Sequence, residues 1–393
     1  MKLIKLLAVG LALTLTSCES VLDVGDKPDA SERSSDFNIL FKDNTGSMKE
    51  IYGNDIVPGV DIYLKSVTLG TEYKFTSDAA GVVSIKNIIS DKYVITAKRM
   101  MSSEEMEALT GSAQDYYKLK NSSTGIIDLD AENTDTIHVY LDVLEKSSPL
   151  VISEIYACGP PNAGLYFHDK YVEVYNQTDS VLYLDGIMIG DVAGNPSNGV
   201  NYRDDPDYLH VARLWKFPGS GKEYPIQPGQ SVVCAEDAID HRISAPESVD
   251  LSGANFEFYK DDVPDIDNPN VPNMVKIYQK TSEADWVIGG EKGALCLIEP
   301  MNEDSLQWYN DHIIIPYKYV MDGVEYIDDL TDVAHKKMSY SIDASFTGGI
   351  TFYTGKSMER KTTTEFGRVI LKDDNNSMLD FTVLDHPTPG YQH

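Results

Sequence analysis

Apolar and polar residues alternate with a period of two along several short segments of the chain. This pattern, with polar residues between the apolar ones, is typical of half-buried β-strands. The apolar positions are Val60, Ile62 and Leu64, then Tyr93, Ile95 and Ala97, then Ile137, Val139 and Leu141. A turn-forming cluster at 76–81 (TSDAAG) lies between the first two segments, and Phe37–Phe41 is a further candidate strand. One helical or loop insertion is predicted at 102–118, with Ser102 or Ser103 as its N-cap.

A second β-rich region follows a boundary near residues 145–149 (EKSSP). It shows turn signals about every ten residues, no sustained helical periodicity, and long acidic loops at 192–208 and 260–273. We therefore predict an all-β protein of two β-sandwich domains, at residues 37–145 and 150–393.

The N-terminus combines Lys2 and Lys5 with an apolar segment at 6–15 and a cysteine at position 18. The apolar segment is too short to span a bilayer. Small residues before Cys18 resemble a bacterial lipoprotein signal, which implies a signal peptide at 1–17, lipidation of Cys18 and a flexible tether at 18–36. The alternative is an ordinary secretory signal in which Cys18 is incidental. Glu19, Asp23 and Asp26 are similar to the export signals of Bacteroidota surface lipoproteins, so an outer-membrane location is expected, with the cell surface favoured over the periplasmic face.

The first β-region resembles a known sandwich. Pro58 and Gly59 precede a strand, Gly81 ends the turn, and a strand through Ile85 and Ile88 leads into 93–95 (YVI). This order is similar to the prealbumin-like sandwich of carboxypeptidase-type regulatory domains.

The second region resembles a lamin-tail domain, an immunoglobulin-type β-sandwich. The segments that carry the likeness are 151–156 (VISEIY), 171–178 (YVEVYNQT), 182–186 (LYLDG), 228–233 (PGQSVV), 355–360 (GKSMER), 380–381 (DF) and 387–390 (PTPG). Such domains are placement and binding modules. This region is longer than a plain lamin-tail domain, so long insertions are expected within it.

Residues 215–225 (WKFPGSGKEYP) lie in such an insertion and resemble an uncharacterised family of Bacteroidota lipoproteins. Members of that family tend to be encoded near TonB-dependent outer-membrane receptors. The resemblance implies a setting and a receptor partner, and it implies no activity.

The formal net charge of −29 restricts the classes of partner that are expected to bind this protein. A surface this negative repels nucleic acids and anionic lipid head groups, so nucleic-acid binding is excluded. The hydrophobic content of 42% indicates a packed core rather than a disordered chain.

Two glutamates of the second region are candidates for acid–base chemistry. Glu154 and Glu173 could form a paired-carboxylate site, since glycosidases use two carboxyl groups about 5–10 Å apart. Both lie in strand motifs, however, which favours a structural role. We predict that Glu173 pairs with Arg360.

The loop at 260–273 is a candidate calcium site through Asp261, Asp262, Asp265 and Asp267, because Ca²⁺ takes oxygen ligands from flexible acidic loops. It lacks the glycine and the terminal glutamate of an EF-hand loop, so a solvated acidic loop is the favoured interpretation. No other cofactor is expected.

No local motif for catalysis is present. The eight histidines show no HExxH spacing, and neither a nucleophile elbow nor a phosphate-binding loop occurs. The sequence leaves open whether the fold assembles a catalytic Ser/His/Asp set from distant positions. Cys158, Cys234 and Cys296 allow at most one disulfide, and the last two lie in apolar runs that predict buried thiols.

Most of the 24 tyrosines suit strands. Tyr166, Tyr202 and Tyr208 lie in predicted loops and are candidates for a ligand-binding surface.

These observations favour a non-enzymatic binding or accessory lipoprotein of the outer membrane, with a TonB-dependent receptor, a surface glycan or a surface protein as its partner. One alternative is a hydrolase with its site in the insertions of the second domain. The other is an adhesin or structural protein of the cell surface.

Overall fold

The computed structural model describes residues 34–69, 71–112, 117–121, 125–129, 136–279, 286, 288–365, 368–373 and 375–391. The predicted signal peptide, Cys18 and most of the predicted tether lie outside these residues. The first strand begins at Ser34, inside the predicted tether at 18–36, so the regular structure starts earlier than expected. The described part of the chain is all-β, as predicted.

In the predicted first domain, the described residues form nine strands and two α-helices. Its strands are β1 (Ser34–Asp43), β2 (Asp61–Ser66), β3 (Glu72–Thr76), β4 (Val82–Ile89), β5 (Asp91–Met100), β6 (Tyr117–Lys120), β7 (Gly125–Leu129), β8 (Ile137–Leu141) and β9 (Val143–Lys146), and its helices are α1 (Ser47–Tyr52) and α2 (Ser103–Thr110). One sheet has the order β4–β1–β8, with β1 antiparallel to β4 and parallel to β8. The other has the order β3–β2–β5–β6–β9, and β7 pairs with β5.

The alternating residues found in the sequence face the core of this domain. Ile62 and Leu64 of β2 are buried, while Tyr63 between them is half-buried and Lys65 after them is exposed. Ser102 is the N-cap of α2: its hydroxyl accepts a hydrogen bond from the N–H of Glu105, whose carboxylate accepts from the N–H of Ser102. Gly81 closes the predicted turn with a φ of +71°, and a Cβ there would meet Ile56 at 2.8 Å, so glycine is required.

The second domain holds two larger sheets. Its strands are β10 (Leu150–Tyr156), β11 (Tyr171–Asn176), β12 (Leu182–Tyr183), β13 (Met188–Val192), β14 (Tyr208–Lys216), β15 (Pro225–Ile226), β16 (Ser231–Ala235), β17 (Phe256–Glu257), β18 (Val275–Tyr278), β19 (Gly293–Ile298), β20 (Gln307–Tyr309), β21 (His312–Pro316), β22 (Val320–Ile327), β23 (Thr347–Gly348), β24 (Ser357–Arg360), β25 (Thr362–Glu365), β26 (Arg368–Leu371) and β27 (Phe381–Leu384), and its helix is α3 (Ser377–Asp380). One sheet runs β17–β16–β11–β10–β24–β27, and the facing sheet runs β20–β21–β14–β13–β19–β22–β23 with β18 on β14. Trp215, Phe258 and Trp286 lie in the core cluster of this domain.

Strands β10 and β11 are buried on both faces. Their second face is covered by chain from the C-terminal part of the domain: the hydroxyl of Tyr175 donates to the carbonyl of Val369, and the backbone N–H groups of Thr388 and Gly390 donate to Glu154 and Glu173. None of the helices in the described ranges is long and apolar enough to cross a membrane.

Candidate functional site

A cleft of about 450 Å³ opens in the second domain where several loops meet. Its lining residues are Phe167, Lys170, Asp191, Arg213, Ile288, Gly289, Gly290, Lys292, Lys337, Phe352 and Tyr353. Four of these side chains are cations and one is a carboxylate, in a chain whose net charge is −29. The cleft is therefore a local basic site on an acidic protein.

Two of the cations are held firmly by the fold. Lys170, at the end of the loop before β11, is 2% exposed, and its Nζ donates to the carbonyl of Ile288 at 2.7 Å. Burial lowers the pKa of Lys170, while the nearby Glu236 and Asp169 oppose that fall. Arg213 of β14 donates to Asp191 of β13 at 2.5 Å. Because β13 and β14 are neighbours in one sheet, the contact with Asp191 fixes the position of the Arg213 guanidinium in the cleft.

Lys292 and Lys337 lie in loops at the rim. The Lys292 ammonium is 3.4 Å from Asp328 and 3.4 Å from Asp332. For Lys337, no carboxylate among the described residues lies within ion-pair distance of the ammonium group. Among the described residues, Lys337 therefore offers the cleft an ammonium group without an ion-pair partner, and Asp191 is the carboxylate in the same lining.

Aromatic rings form the opposite lining. Phe167 is 36% exposed and Phe352 is 45% exposed, both high values for phenylalanine. The Phe352 ring packs on the backbone of Gly290 so closely that a Cβ there would lie 2.1 Å from the ring. Exposed aromatic groups next to cations suit a ligand with both an apolar face and an anionic group.

The predicted tyrosine surface is only partly related to this cleft. The Tyr166 hydroxyl donates to His241 Nδ1 at 2.6 Å, and Tyr166 directly precedes the cleft residue Phe167. The Tyr202 ring stacks on His210 with a centroid distance of 4.3 Å. Tyr208 begins β14, and its backbone N–H donates to Asp205.

Behind Tyr202 lies a histidine pair that the sequence did not predict. His210 Nδ1 is 2.7 Å from His312 Nε2, and His210 Nε2 is 3.0 Å from Asp205. The two histidines are 102 positions apart and meet because β14 pairs with β21. No local spacing could have shown this contact.

The four aspartates of the candidate calcium loop do not converge on one point. Asp262 is 2.9 Å from the Lys276 ammonium and 3.2 Å from that of Lys260, so lysines serve as its counter-charges. Asp265 accepts from the backbone of Lys260, Asp267 accepts from Asn273, and Asp261 is largely exposed. In the described ranges, no group of three or more His, Cys, Asp or Glu side chains could hold a metal ion.

The predicted pair of Glu173 and Arg360 is wrong. Instead, Nη2 of Arg360 donates hydrogen bonds to both carboxylate oxygens of Asp322, at 2.7 and 2.9 Å. Arg360 lies on β24 and Asp322 on β22, so the ion pair joins the two sheets of the sandwich. Glu173 lies on the other side of its sheet, beneath the C-terminal segment, where the N–H of Gly390 donates to it.

Glu154 and Glu173 do lie close enough to influence each other. Burial, and then the charge of Glu154, raise the pKa of Glu173 to about 8. Burial also raises the pKa of Glu154, against the hydroxyls of Ser357 and Tyr171. Both side chains have zero exposure and are covered by residues 388–390, so no substrate reaches them. The structural role that the sequence favoured for these two side chains stays a prediction.

The three described cysteines, Cys158, Cys234 and Cys296, are free and buried. The prediction of buried thiols at Cys234 and Cys296 is therefore confirmed. Lipidation of Cys18 falls outside the described residues and stays a prediction.

Sequence patterns did not reveal the cleft. Its cations come from β14 and three loops, at positions 170, 213, 292 and 337, and Lys170 lies directly before β11. One available signal was Lys170, a lysine directly before the β11 segment 171–175 (YVEVY); another was the pair Gly289–Gly290. Neither signal indicates a shared site without the fold.

Comparison with known proteins finds a family profile that matches part of the chain and a solved structure with a similar fold. The sequence profile of a family described as a protein of unknown function, DUF4876, matches residues 227–312 and 298–388. The crystal structure of a DUF4876 family protein from Bacteroides thetaiotaomicron has 23% sequence identity and a TM-score of 0.58, and the match covers 88% of this chain and 94% of that one. The two proteins share a fold, and the predicted likeness to an uncharacterised Bacteroidota family is supported.

A candidate adhesin from Bacteroides ovatus is much more distant. It has 11% identity and a TM-score of 0.21, over 78% of this chain and 88% of that one, which is too low to carry an argument. A search of curated protein sequences finds no match. None of these matches is to a lamin-tail or prealbumin-like domain, so those two finer likenesses stay predictions.

Proposed function

We propose that this protein is a binding protein that holds an anionic ligand in the basic cleft of its second domain. The observation that carries the proposal is the concentration of Lys170, Arg213, Lys292 and Lys337 around one cleft of an acidic chain. Bulk electrostatics would repel anions from such a protein, so a cluster of cations at one cleft makes that cleft the favoured place for a negative group.

The lining and the volume of the cleft restrict the chemistry and the size of the ligand further. Phe167, Phe352 and Tyr353 offer flat apolar surfaces within the same space as the cations. A volume of about 450 Å³ suits a small molecule or one to two sugar-sized units of a longer chain. The proposed ligand is therefore an amphipathic anion with an aromatic or other flat apolar portion.

Binding in the cleft is expected to fall about tenfold in Lys337→Met, because a charge-assisted contact contributes roughly 1.5 kcal/mol and 1.4 kcal/mol is a factor of ten. The probe is 8-anilinonaphthalene-1-sulfonate, which joins aromatic rings to a sulfonate. Fluorescence titration of the purified full-length protein measures the dissociation constant, and raising the salt concentration is expected to weaken binding as well.

Lys86→Met is the matched control, since Lys86 is an exposed lysine of the first domain that pairs with Asp36. It is expected to bind the probe like the wild type. Equal affinity of all three proteins, with unchanged melting temperatures, would mean that the cleft cations do not recognise the anion.

We further propose that acylation of Cys18 anchors the protein in the outer membrane, where it acts as an accessory to a TonB-dependent receptor. The lipoprotein-like signal at 1–18 and the acidic residues after it support the anchor. The likeness of residues 215–225 to a receptor-associated family supports the partner. A lamin-tail-like second sandwich, carrying binding loops on a rigid scaffold, would fit this role.

The anchor predicts incorporation of labelled palmitate into the wild-type protein and none into Cys18→Ala. Several acyl chains, each CH₂ contributing roughly 0.8 kcal/mol on burial, hold a protein on a membrane. The variant is therefore expected in the soluble fraction after lysis. Equal labelling of both proteins would rule out the anchor, whereas copurification of the wild type with an outer-membrane receptor after mild solubilisation would support the partner.

A further inference from the structure

A serine, a histidine and an aspartate form a continuous chain of contacts at the rim of the cleft. The Ser197 hydroxyl lies within hydrogen-bond distance of His335 Nε2, and His335 Nδ1 contacts the carboxylate of Asp332. The serine hydroxyl thus lies next to one imidazole nitrogen and the carboxylate next to the other, in the order used by serine nucleophiles. The serine lies 138 positions from the histidine, so only the fold brings them together.

Local structure holds each of the three residues. Ser197 lies in a 3₁₀ turn at Pro196–Asn198, at the tip of a loop closed by backbone hydrogen bonds between Asn195 and Val200. His335 ends a second 3₁₀ turn, Val333–His335. The next residue, Lys336, is buried and donates to Glu325 of β22 at 2.8 Å, which fastens this turn to the sheet.

The surroundings of Asp332 suit a proton acceptor at His335 Nε2. Contact with His335 lowers the pKa of Asp332, and the Lys292 ammonium at 3.4 Å acts in the same direction. An ionised Asp332 next to Nδ1 favours the tautomer of His335 that carries its proton on Nδ1, and in that tautomer the lone pair of Nε2 faces Ser197. Ser197 itself is exposed, so a substrate could reach its hydroxyl.

We propose that Ser197 is a nucleophile for acyl transfer, with His335 as its general base and Asp332 as the positioning residue. The Ser197 oxygen would bond to the carbonyl carbon of an ester while His335 takes the hydroxyl proton. The bond to the alcohol then breaks, and His335 returns that proton to the departing alkoxide. Water, deprotonated by His335, attacks the acyl group; the acid is released and Ser197 regains a proton.

The surroundings indicate the class of ester. Lys292 contacts Asp332, and Lys337, two residues after His335, packs towards Gly194 in the loop that carries Ser197. Both lysines also line the basic cleft. The favoured substrate is therefore an ester of an anionic molecule. The preference for an anionic substrate rests on the proposed binding function, whereas the assignment of Ser197 as a nucleophile does not.

The experiment uses an uncharged alkyl fluorophosphonate, whose phosphorus bonds to an activated serine oxygen with release of fluoride. Since this probe does not need the cations of the cleft, its outcome is separate from that of the anion-binding test. Purified full-length protein is treated with the probe and the modified residue is located by peptide mass spectrometry. Labelling is expected at Ser197, with none at that position in Ser197→Ala, and roughly a hundredfold slower in His335→Ala.

Ser341→Ala is the matched control, because Ser341 is an exposed serine whose hydroxyl contacts that of Ser339 rather than an imidazole. It is expected to label at Ser197 at the wild-type rate. Asp332→Asn is expected to slow labelling and Asp332→Glu to restore part of it, with unchanged melting temperatures. An unlabelled Ser197, or labelling at the same rate in His335→Ala, would show that the three residues are only a surface hydrogen-bond cluster.

Discussion

Replacing Arg360 with methionine is expected to lower the free energy of unfolding of the second domain by roughly 3–5 kcal/mol. The guanidinium is fully buried and donates to Asp322 through two hydrogen bonds, to the carbonyl of Ile152 at 2.9 Å and to Asp373 at 3.2 Å. Methionine fills a similar volume and offers no donor. Asp322 would then be a buried carboxyl group without its counter-charge.

The protonation of Asp322 explains why the cost is large. Burial raises the pKa of Asp322 to about 6, and the charge of Arg360 opposes the rise. At neutral pH the carboxylate is therefore ionised largely because the guanidinium is next to it. The pair also joins β22 of one sheet to β24 of the other, so its loss weakens the contact between the two layers.

Thermal melting measures the effect. For a domain of this size, each kcal/mol corresponds to roughly 2–4 °C, so a fall of about 10 °C is expected. Arg242→Met is the matched control: Arg242 also pairs with two aspartates, Asp240 and Asp250, but its side chain is 51% exposed. Exposed ion pairs contribute about 0–1 kcal/mol. Similar melting temperatures for the two variants would contradict the structural role of Arg360.

The second large effect is a loss of stability as the pH rises from about 4.5 to 8, which Glu173→Gln is expected to remove. The pKa of Glu173 is about 8 in the folded protein, against an ordinary value near 4.5. The folded state therefore holds this proton more tightly than the unfolded chain does. The bound proton of Glu173 contributes fully to the free energy of unfolding below about pH 4.5. This contribution, on the order of 4 kcal/mol, is lost as the pH approaches 8.

Glutamine keeps the acceptor for the N–H of Gly390 and cannot ionise beside Glu154. We therefore expect Glu173→Gln to match the wild type near pH 4.5 and to melt at a clearly higher temperature near pH 8.5. Glu105→Gln is the control with the opposite sign: burial raises the pKa of Glu105, but the hydrogen bond and charge of Arg99 outweigh burial and lower it. That variant is expected to be less stable than the wild type at pH 8.5. If Glu173→Gln and the wild type show the same melting temperature at both pH values, the pKa of Glu173 is not raised in the folded protein.

The carboxyl pair also connects stability to the C-terminal segment. Thr388 and Gly390 donate backbone N–H groups to Glu154 and Glu173, so this segment covers charge-bearing groups rather than apolar side chains alone. Removing residues after 386 would uncover both carboxyl groups. The segment is therefore part of the folded domain, although it contains no strand.

Most residues of the cleft and of its rim could not be predicted from the sequence. Tyr166 and Tyr202 were singled out, and both lie next to cleft residues or loops, but the cations that define the cleft were not predicted. The Ser197, His335 and Asp332 set was left open as a class and could not be located. Each of these groups depends on contacts between positions far apart in the chain, and a single sequence does not reveal such contacts.

What the sequence alone determined is local. Alternation at Ile62 and Leu64 predicted which side of β2 is buried, Ser102 or Ser103 was predicted as the N-cap near which α2 begins, and the cluster that ends at Gly81 predicted a turn. Burial of one strand face, capping and turn geometry involve residues within a few positions of one another, so the sequence carries them directly. What the tertiary structure decided is pairing at a distance: Arg360 meets Asp322 rather than Glu173, and four separate cations meet at one cleft. Those choices depend on strand order and on which sheet faces which, because a charged side chain can take any counter-charge that the packing brings within reach.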